Sequence, residues 1–350
     1  MTKDKSPVLS IIMPTFNHEK ELAVMIESII HNTYTDWELL AVDDGSDEPT
    51  LRLLQHYAQE DNRIRLLHRD RLPKGAPTCR NIGMNAARGE YVVFFDSDDY
   101  VTSGSLSRRI SEMQAHPELD FMVFPSGLYM DNDFKAFEHK FVFGYKTQDD
   151  DLRAFARREL PFIVWNNIYR AEAIRLHHLH WNENLLSLQD AEYNIAAITK
   201  GLRYDYAQTK PDYGYRLYIT GSISRKVGSE AHYTSHKYYL ESVYKMIQQM
   251  HGHRYDEAIY NGILLLLNSI STGQGYDYKL AAIFAKVLKQ YSPLYYRRFC
   301  MKTKCCHLLE KVMSPKLARQ LVMVSFLVQR DHNEKKRIKT IKTIIQDRLR

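Results

Sequence analysis

Cysteine is scarce in this chain: Cys79, Cys300, Cys305 and Cys306 are the only four among 350 residues. With so few thiols, and with no charged-then-apolar leader at the start, a secreted disulfide scaffold is excluded and a reducing cytoplasmic setting is expected. Long hydrophobic runs are missing as well. The longest, residues 262–267 and 321–328, fall short of the roughly 18 consecutive apolar residues that span a bilayer, and read as buried helix. What is present is ordinary for a globular protein, 44% hydrophobic and 26% charged, which excludes disorder and leaves room for a large core. No internal repeat and no low-complexity linker interrupts the chain.

The net charge of +6 is unevenly placed. Residues 334–350 hold seven Lys and Arg against two acids, and the remainder is nearly neutral. Within this tail Ile338, Ile341, Ile345 and Leu349 recur at three- and four-residue steps, which makes a basic amphipathic helix. Such a helix fits an anionic membrane surface, and equally fits packing of one face on its own domain. No aromatic platform accompanies the basic residues, so nucleic acid is not an expected partner.

Over the first 125 residues two periodicities alternate, the signature of a βαβ succession and a largely parallel sheet. Strands are expected at Val8 to Met13, Trp37 to Val42, Ile64 to His68, Tyr91 to Phe95 and Phe121 to Phe124. Between them lie helices with buried faces at Leu22, Met25, Ile26, Ile29 and Ile30, and at Leu51, Leu54, Tyr57 and Ala58. A third helix is expected to bury Cys79, Ile82, Ala86 and Ala87, with Gly83 allowing close approach to the sheet and Arg80 and Asn81 turned elsewhere. That pattern makes Cys79 a packed core thiol. After Pro125 come short aromatic-rich segments such as Phe134 to Tyr145, then helices at Asp150 to Arg158 and Gln189 to Lys200. From about Ser235 the pattern is helical, with an apolar stripe at Tyr238, Tyr239, Val243, Ile247 and Met250.

Polar clusters end three of the expected strands: Pro14-Thr15-Phe16-Asn17, Asp43-Asp44-Gly45-Ser46 and Asp96-Ser97-Asp98-Asp99. In a parallel sheet these C-terminal ends share one edge, where open α/β sheets bind ligands. Carboxylates as crowded as Asp96, Asp98 and Asp99 repel one another unless a cation or water lies among them, which suggests a hard divalent metal holding a phosphate. An acidic turn capping the next helix is the plain alternative. An EF-hand is a poor match, since Tyr100 and Val101 stand where an acid or amide and a glycine belong. An Asp at the end of the second strand can accept from the N3-H of a uracil ring, and can equally form an Asx turn.

The runs SIIMPTFN, VDDGS and CRNIGMNAARGEYVVFFDSDD resemble, in motif and spacing, the inverting family 2 glycosyltransferases. The resemblance extends from residue 8 to about 225 and implies a GT-A fold, an α/β layering with a Rossmann-like, mostly parallel sheet flanked by helices, followed here by a helical C-terminal extension. It implies a catalytic unit over residues 1–230, its acceptor part at about 126–230, and a helical region over 231–350. The implied donor is a nucleotide-activated sugar, most often on UDP, with Mg²⁺ or Mn²⁺ held by Asp96 and Asp98. By the same resemblance Asp44 is expected at the base, Thr15 and Phe16 beside the nucleoside, and Arg80 near the diphosphate or sugar. Asp190 stands where the family carries its general base, with Gln189 in place of the usual glutamate; Arg216 or Arg225 matches the closing YR and GSISR segments. Asn167 replaces a lysine common in relatives. The implied acceptor is a hydroxyl of a glycan or lipid-linked saccharide, in cell-surface polysaccharide synthesis.

Three other readings compete for these residues. A catalytically silent binder of the same fold would not need Asp44, Asp98 and Asp190 together. A sugar nucleotidyltransferase would carry a glycine-rich first loop with Arg and Lys, where this chain has Pro14-Thr15-Phe16-Asn17. A membrane-bound scaffold would act through the tail. His177, His178 and His180 alternate faces, and Cys300, Cys305, Cys306 and His307 lack zinc-pair spacing, so neither group reads as a metal site.

Overall fold

The computed structural model describes residues 6–130, 132–135, 142–148, 150–217, 229–271 and 275–349. Its first strands are β1 (Leu9–Thr15), β2 (Trp37–Asp43), β3 (Ile64–His68) and β4 (Tyr91–Phe94). All of β2 and β4 and nearly all of β1 are buried, as expected of central parallel strands covered on both faces. Between them run α1 (Glu19–Ile30), α2 (Glu48–Glu60) and α3 (Ala76–Ala86), which pack their apolar faces on the sheet. Gly83 makes this packing close: a Cβ there would lie 2.5 Å from Ile12 Cγ2.

The chain continues through β5 (Tyr100–Val101), α4 (Ser105–Ala115), β6 (Phe121–Val123), β7 (Ser126–Met130), β8 (Asp133–Lys135), α5 (Asp151–Ala156), β9 (Asn167–Arg170), α6 (Ala171–Leu176), α7 (Gln189–Thr199), β10 (Tyr204–Tyr206) and β11 (Tyr213–Arg216). A seven-stranded sheet has the order β10-β6-β9-β4-β1-β2-β3, parallel except that β9 runs antiparallel to both β4 and β6. The sequence reading missed β9, because Asn167 and Arg170 bracket only two apolar residues. A second sheet, β5-β11-β7-β8, arises from the aromatic-rich segments and folds back over the strand ends. Asp212, just before β11, is held by Arg109 of α4 through bonds of 2.7 and 3.0 Å, both side chains fully buried.

Helices α8 (Glu230–His251), α9 (Asp256–Ile270), α10 (Tyr278–Tyr291), α11 (Pro293–Leu309) and α12 (Pro315–Leu349) complete the chain. Two expectations need correction. Arg80 and Asn81 are buried, while Ile82, Ala86 and Ala87 are only half-buried, because the buried side of α3 turns toward the strand ends rather than outward. In α8, Tyr238 and Met250 are exposed, and the covered face is built instead on Tyr239, Leu240, Val243, Tyr244 and Ile247. Of the two readings left open for the stripe in α12, packing on the protein is the one observed: Ile341 and Ile345 pack with Leu128, Val142 and Tyr145 beside the second sheet. No helix of the described residues is long and apolar enough to cross a membrane.

Candidate active site

Because β1, β2 and β4 are parallel and adjacent, their C-terminal ends deliver the three polar clusters to one edge. Thr15 is buried and Pro14 half-buried, while Phe16 is exposed with Lys74 Nζ 3.7 Å above its ring. Asn17 adopts a left-handed backbone, φ 58°, donates from its N–H to Ser46 Oγ at 3.0 Å and accepts from the Asp47 N–H at 2.9 Å, locking the first cluster to the second. Asp43 closes an Asx turn, accepting from the Gly45 and Ser46 N–H groups at 3.0 and 3.1 Å. Asp44 is held differently. It accepts from Arg69 Nε at 2.5 Å and from the Gly75 N–H at 3.3 Å. The thiol of Cys79 is buried beneath it, and burial pushes that thiol up to about 12, the state of an inert core cysteine.

The acidic cluster is organised by β11. Tyr213 donates its hydroxyl to Asp99 Oδ2 at 2.7 Å and accepts from the Asp96 N–H at 3.1 Å. Arg216 donates its backbone N–H to Asp99 Oδ1 at 2.7 Å and its Nε to the Asp98 carbonyl at 2.8 Å. Asp99 is thereby committed to tying the second sheet to the strand end. Ser97 and Asp98 are half-buried between these anchors. Burial, reinforced by Asp96, pushes the Asp98 carboxyl up to about 7. Asp99 is raised well above the usual range by burial and by its two acidic neighbours.

Asp190 reaches this cluster from the first turn of α7, where the helix N-terminus favours a carboxylate. The helix is fixed from below. Asn194 accepts from Asn167 Nδ2 at 3.0 Å, a bond that anchors α7 to β9. Arg80 links the two acids: Nη2 donates to Asp96 Oδ1 at 2.6 Å, and Nη1 lies 3.7 Å from Asp190 Oδ1. Burial, with Asp96 adding to it and Arg80 opposing it, pushes Asp190 up to about 6.

Several contributors escaped the sequence reading. Trp181 lies under the Arg80 guanidinium at 4.4 Å and stacks on Tyr193 at 4.2 Å. Asn81 fixes it, donating to the Trp181 carbonyl and accepting from its N–H, both at 2.9 Å. Trp165, by contrast, opens the Trp165-to-Arg170 segment that the resemblance already marks, and it stacks with both Tyr213 and Tyr215. Arg69 is the partner of Asp44. Position along strands and helices carries no signal for such contacts, which link residues far apart in the chain. Arg225 lies outside the described residues.

Around these groups, polar atoms sit out of solvent without a hydrogen-bond partner among the described residues: Arg80 Nε and Nη1, Arg216 Nη2, Ser187 Oγ, Gln189 Oε1 and Asp190 Oδ1. Buried polar atoms are nearly always satisfied, so a group of orphans at a strand-end crevice points to a polar ligand. The described residues contain no cluster of three or more acids, histidines or cysteines set as a complete metal cage. Asp96 and Asp98 fit the sparser arrangement in which one or two carboxylates hold a cation whose other ligands come from phosphate and water. A cavity of about 530 Å³ lined by Arg158, Asn333 and Arg337 lies elsewhere and shares no residue with this cluster.

Comparison with known proteins agrees with this geometry. Residues 10–175 match the family model described as glycosyl transferase family 2. The uncharacterized glycosyltransferase EpsJ of Bacillus subtilis (strain 168) is 29% identical over 203 residues, 56% of this chain and 58% of that protein. WfgD of Escherichia coli, a UDP-Glc:alpha-D-GlcNAc-diphosphoundecaprenol beta-1,3-glucosyltransferase, is 38% identical over 106 residues, 30% of this chain and 41% of its own length. The match thus spans less than two thirds of these relatives. The crystal structure of S. aureus TarS 1–349 in complex with UDP-GlcNAc superposes with a TM-score of 0.67 at 17% identity, covering 92% of each chain, which shows a shared fold. Residues 10–175 thus form a glycosyl transferase family 2 domain, and the fold is one shared with TarS.

Proposed function

We propose that the enzyme transfers a sugar from a UDP-sugar to a hydroxyl of a lipid-linked or surface-polysaccharide saccharide, with inversion at the anomeric carbon. The observation that carries this reading is the convergence of orphaned Arg80, Arg216 and Asp190 atoms on the acidic strand end. UDP is favoured because Asp44, held by Arg69 and the Gly75 N–H and tied by its own N–H to the Thr15 carbonyl, is the strand-end carboxylate that would accept from a uracil N3-H. Relatives named for UDP-glucose and UDP-GlcNAc support the same carrier. A lipid-diphosphate acceptor is supported by the name of the WfgD relative.

Asp96 and Asp98 would hold Mg²⁺ or Mn²⁺, which supplies charge neutralisation at the donor diphosphate when bound. Arg80 and Arg216 present guanidinium donors to the departing phosphate oxygens. Asp190 in its ionised form accepts the proton of the acceptor hydroxyl. The freed oxygen lone pair attacks the anomeric carbon on the face opposite the nucleotide, and the bond from that carbon to the β-phosphate oxygen breaks, its electron pair leaving with UDP. Residues 1–230 are taken as the unit that performs this step.

The test is transfer from UDP-glucose and UDP-GlcNAc to a GlcNAc-diphospholipid acceptor, followed by NMR of the new linkage. Asp190→Asn is expected to lower turnover by roughly 10² to 10⁴ with UDP affinity kept. Retained configuration in the product, or full activity in the variant, would remove Asp190 from the role of base.

A further inference from the structure

The last helices concentrate both charge and uncovered apolar surface. From Pro293 to Arg350 there are fifteen Lys and Arg against four Asp and Glu, a surplus of eleven. Since the whole chain carries +6, the first 292 residues carry a deficit of five. The chain outside the 334–350 tail is therefore neutral only on average, and the basic region begins at α11.

On α12, Leu317, Leu321, Val324 and Val328 are 45–65% exposed, and their steps of four, three and four put them on one helical face. Continued at about 100° per residue, that line runs on to Lys335, Lys339 and Lys342, all exposed. Asp331 also falls on it, ion-paired to Lys335 at 2.7 Å. This face is distinct from the one bearing Ile341 and Ile345, which is covered. Helix α11 repeats the pattern: Leu294, Met301 and Leu308 recur at steps of seven, each about 60% exposed, and Val312 in the following turn is 78% exposed. Lys302 Nζ donates to the Val322 carbonyl at 3.0 Å, joining the two helices side by side. Arg297, Arg298, Lys304, Lys311, Lys316 and Arg330 are exposed on the same pair, and Glu310, the acid between residues 293 and 330, is bonded to the Tyr278 hydroxyl.

Large apolar side chains left uncovered in register mark an interaction surface rather than the usual scattering. Charge decides what covers it. A second copy would set a surplus of eleven against the same surplus. We propose that the outward face of α11 and α12 docks on an anionic lipid bilayer, its Leu and Val side chains entering the headgroup boundary and its Lys and Arg meeting the lipid phosphates. The inference does not depend on which donor the enzyme uses, and it would bring a lipid-linked acceptor within the same plane as the enzyme.

Flotation of the full chain with vesicles tests it, comparing phosphatidylcholine alone with phosphatidylcholine containing about a third of phosphatidylglycerol. Binding is expected on the anionic vesicles and is expected to weaken as salt rises. Leu321→Ser combined with Val324→Ser and Val328→Ser should reduce partitioning at least about tenfold, and Lys339→Gln with Lys342→Gln should each cost roughly fivefold. All of these positions are exposed, so calorimetric UDP binding should be unchanged in the variants, which separates loss of docking from loss of the donor site. A chain that ignores anionic vesicles, or binds them equally in the triple variant, overturns the proposal. So does a dimer that the triple variant dissolves while vesicles are ignored.

Discussion

Arg80 Nη1 stands 3.7 Å from Asp190 Oδ1, while Nη2 of the same guanidinium is hydrogen-bonded to Asp96. A single cation rising from α3 therefore balances the carboxylate assigned to proton removal and one assigned to donor binding. Ionisation of Asp190 is opposed by burial and by the charge of Asp96, and favoured by Arg80. On the proposed reading, filling the donor site would change the contribution of Asp96 and thereby tune Asp190.

A pH profile follows from this. With Asp190 pushed up to about 6, kcat/KM should rise with pH through that region, since only the ionised carboxylate accepts a proton. Arg80→Gln removes the group that favours ionisation and should carry the acidic limb to higher pH. A limb that stays in place in the variant would show that Arg80 does not control the base.

Stability should respond to pH through Asp98. Its folded value, about 7, lies above the unfolded carboxylate value of roughly 3.9, so the folded state binds the extra proton across that interval. Stability is consequently expected to fall as pH rises from about 4 to 7, with the loss complete above 7. Asp98→Asn removes that slope contribution and should raise Tm at pH 8 relative to the native chain in a chelator. Thermal scans of both proteins across pH check it; parallel curves would mean that Asp98 is not held in an unfavourable charged state.

The buried pair Arg109 and Asp212 positions β11, and with it Tyr213 and Arg216. Asp212→Ala would leave a guanidinium uncompensated in the core and should cost about 3–5 kcal/mol. Urea denaturation measures this, and a loss below about 1 kcal/mol would contradict a structural role for the pair.

Packing of α3 on the sheet gives a simpler test. Gly83→Ala would press a methyl to 2.5 Å from Ile12 Cγ2, and should destabilise by about 1–3 kcal/mol in the same measurement. An unchanged midpoint would show that the helix can move away freely.

Much of this architecture was legible in the chain. Apolar runs such as Trp37 to Val42 and Tyr91 to Phe94 fix central strands, and polar residues at their ends fix the edge on which chemistry gathers. The strand β9 was not legible, because Asn167 and Arg170 leave too little apolar pattern, and its antiparallel direction comes from the sheet around it. The burial of Arg80 and Asn81 was misread for a related reason: helical periodicity treats polar residues as outward-facing. Here their partners are Asp96, just past the end of β4, and Trp181, in the segment before α7. The tail was read correctly as amphipathic, yet its apolar side meets Leu128 and Val142, a contact across some two hundred residues that spacing alone does not reveal.

Asp98 and its neighbours are proposed to hold a nucleotide diphosphate with a divalent cation. Calorimetric titration of UDP with and without Mn²⁺, on the native chain and on Asp98→Asn, tests it most directly. Binding is expected to require Mn²⁺ and to be lost in the variant; UDP binding that is indifferent to Mn²⁺ or to the Asp98 carboxylate would contradict this assignment.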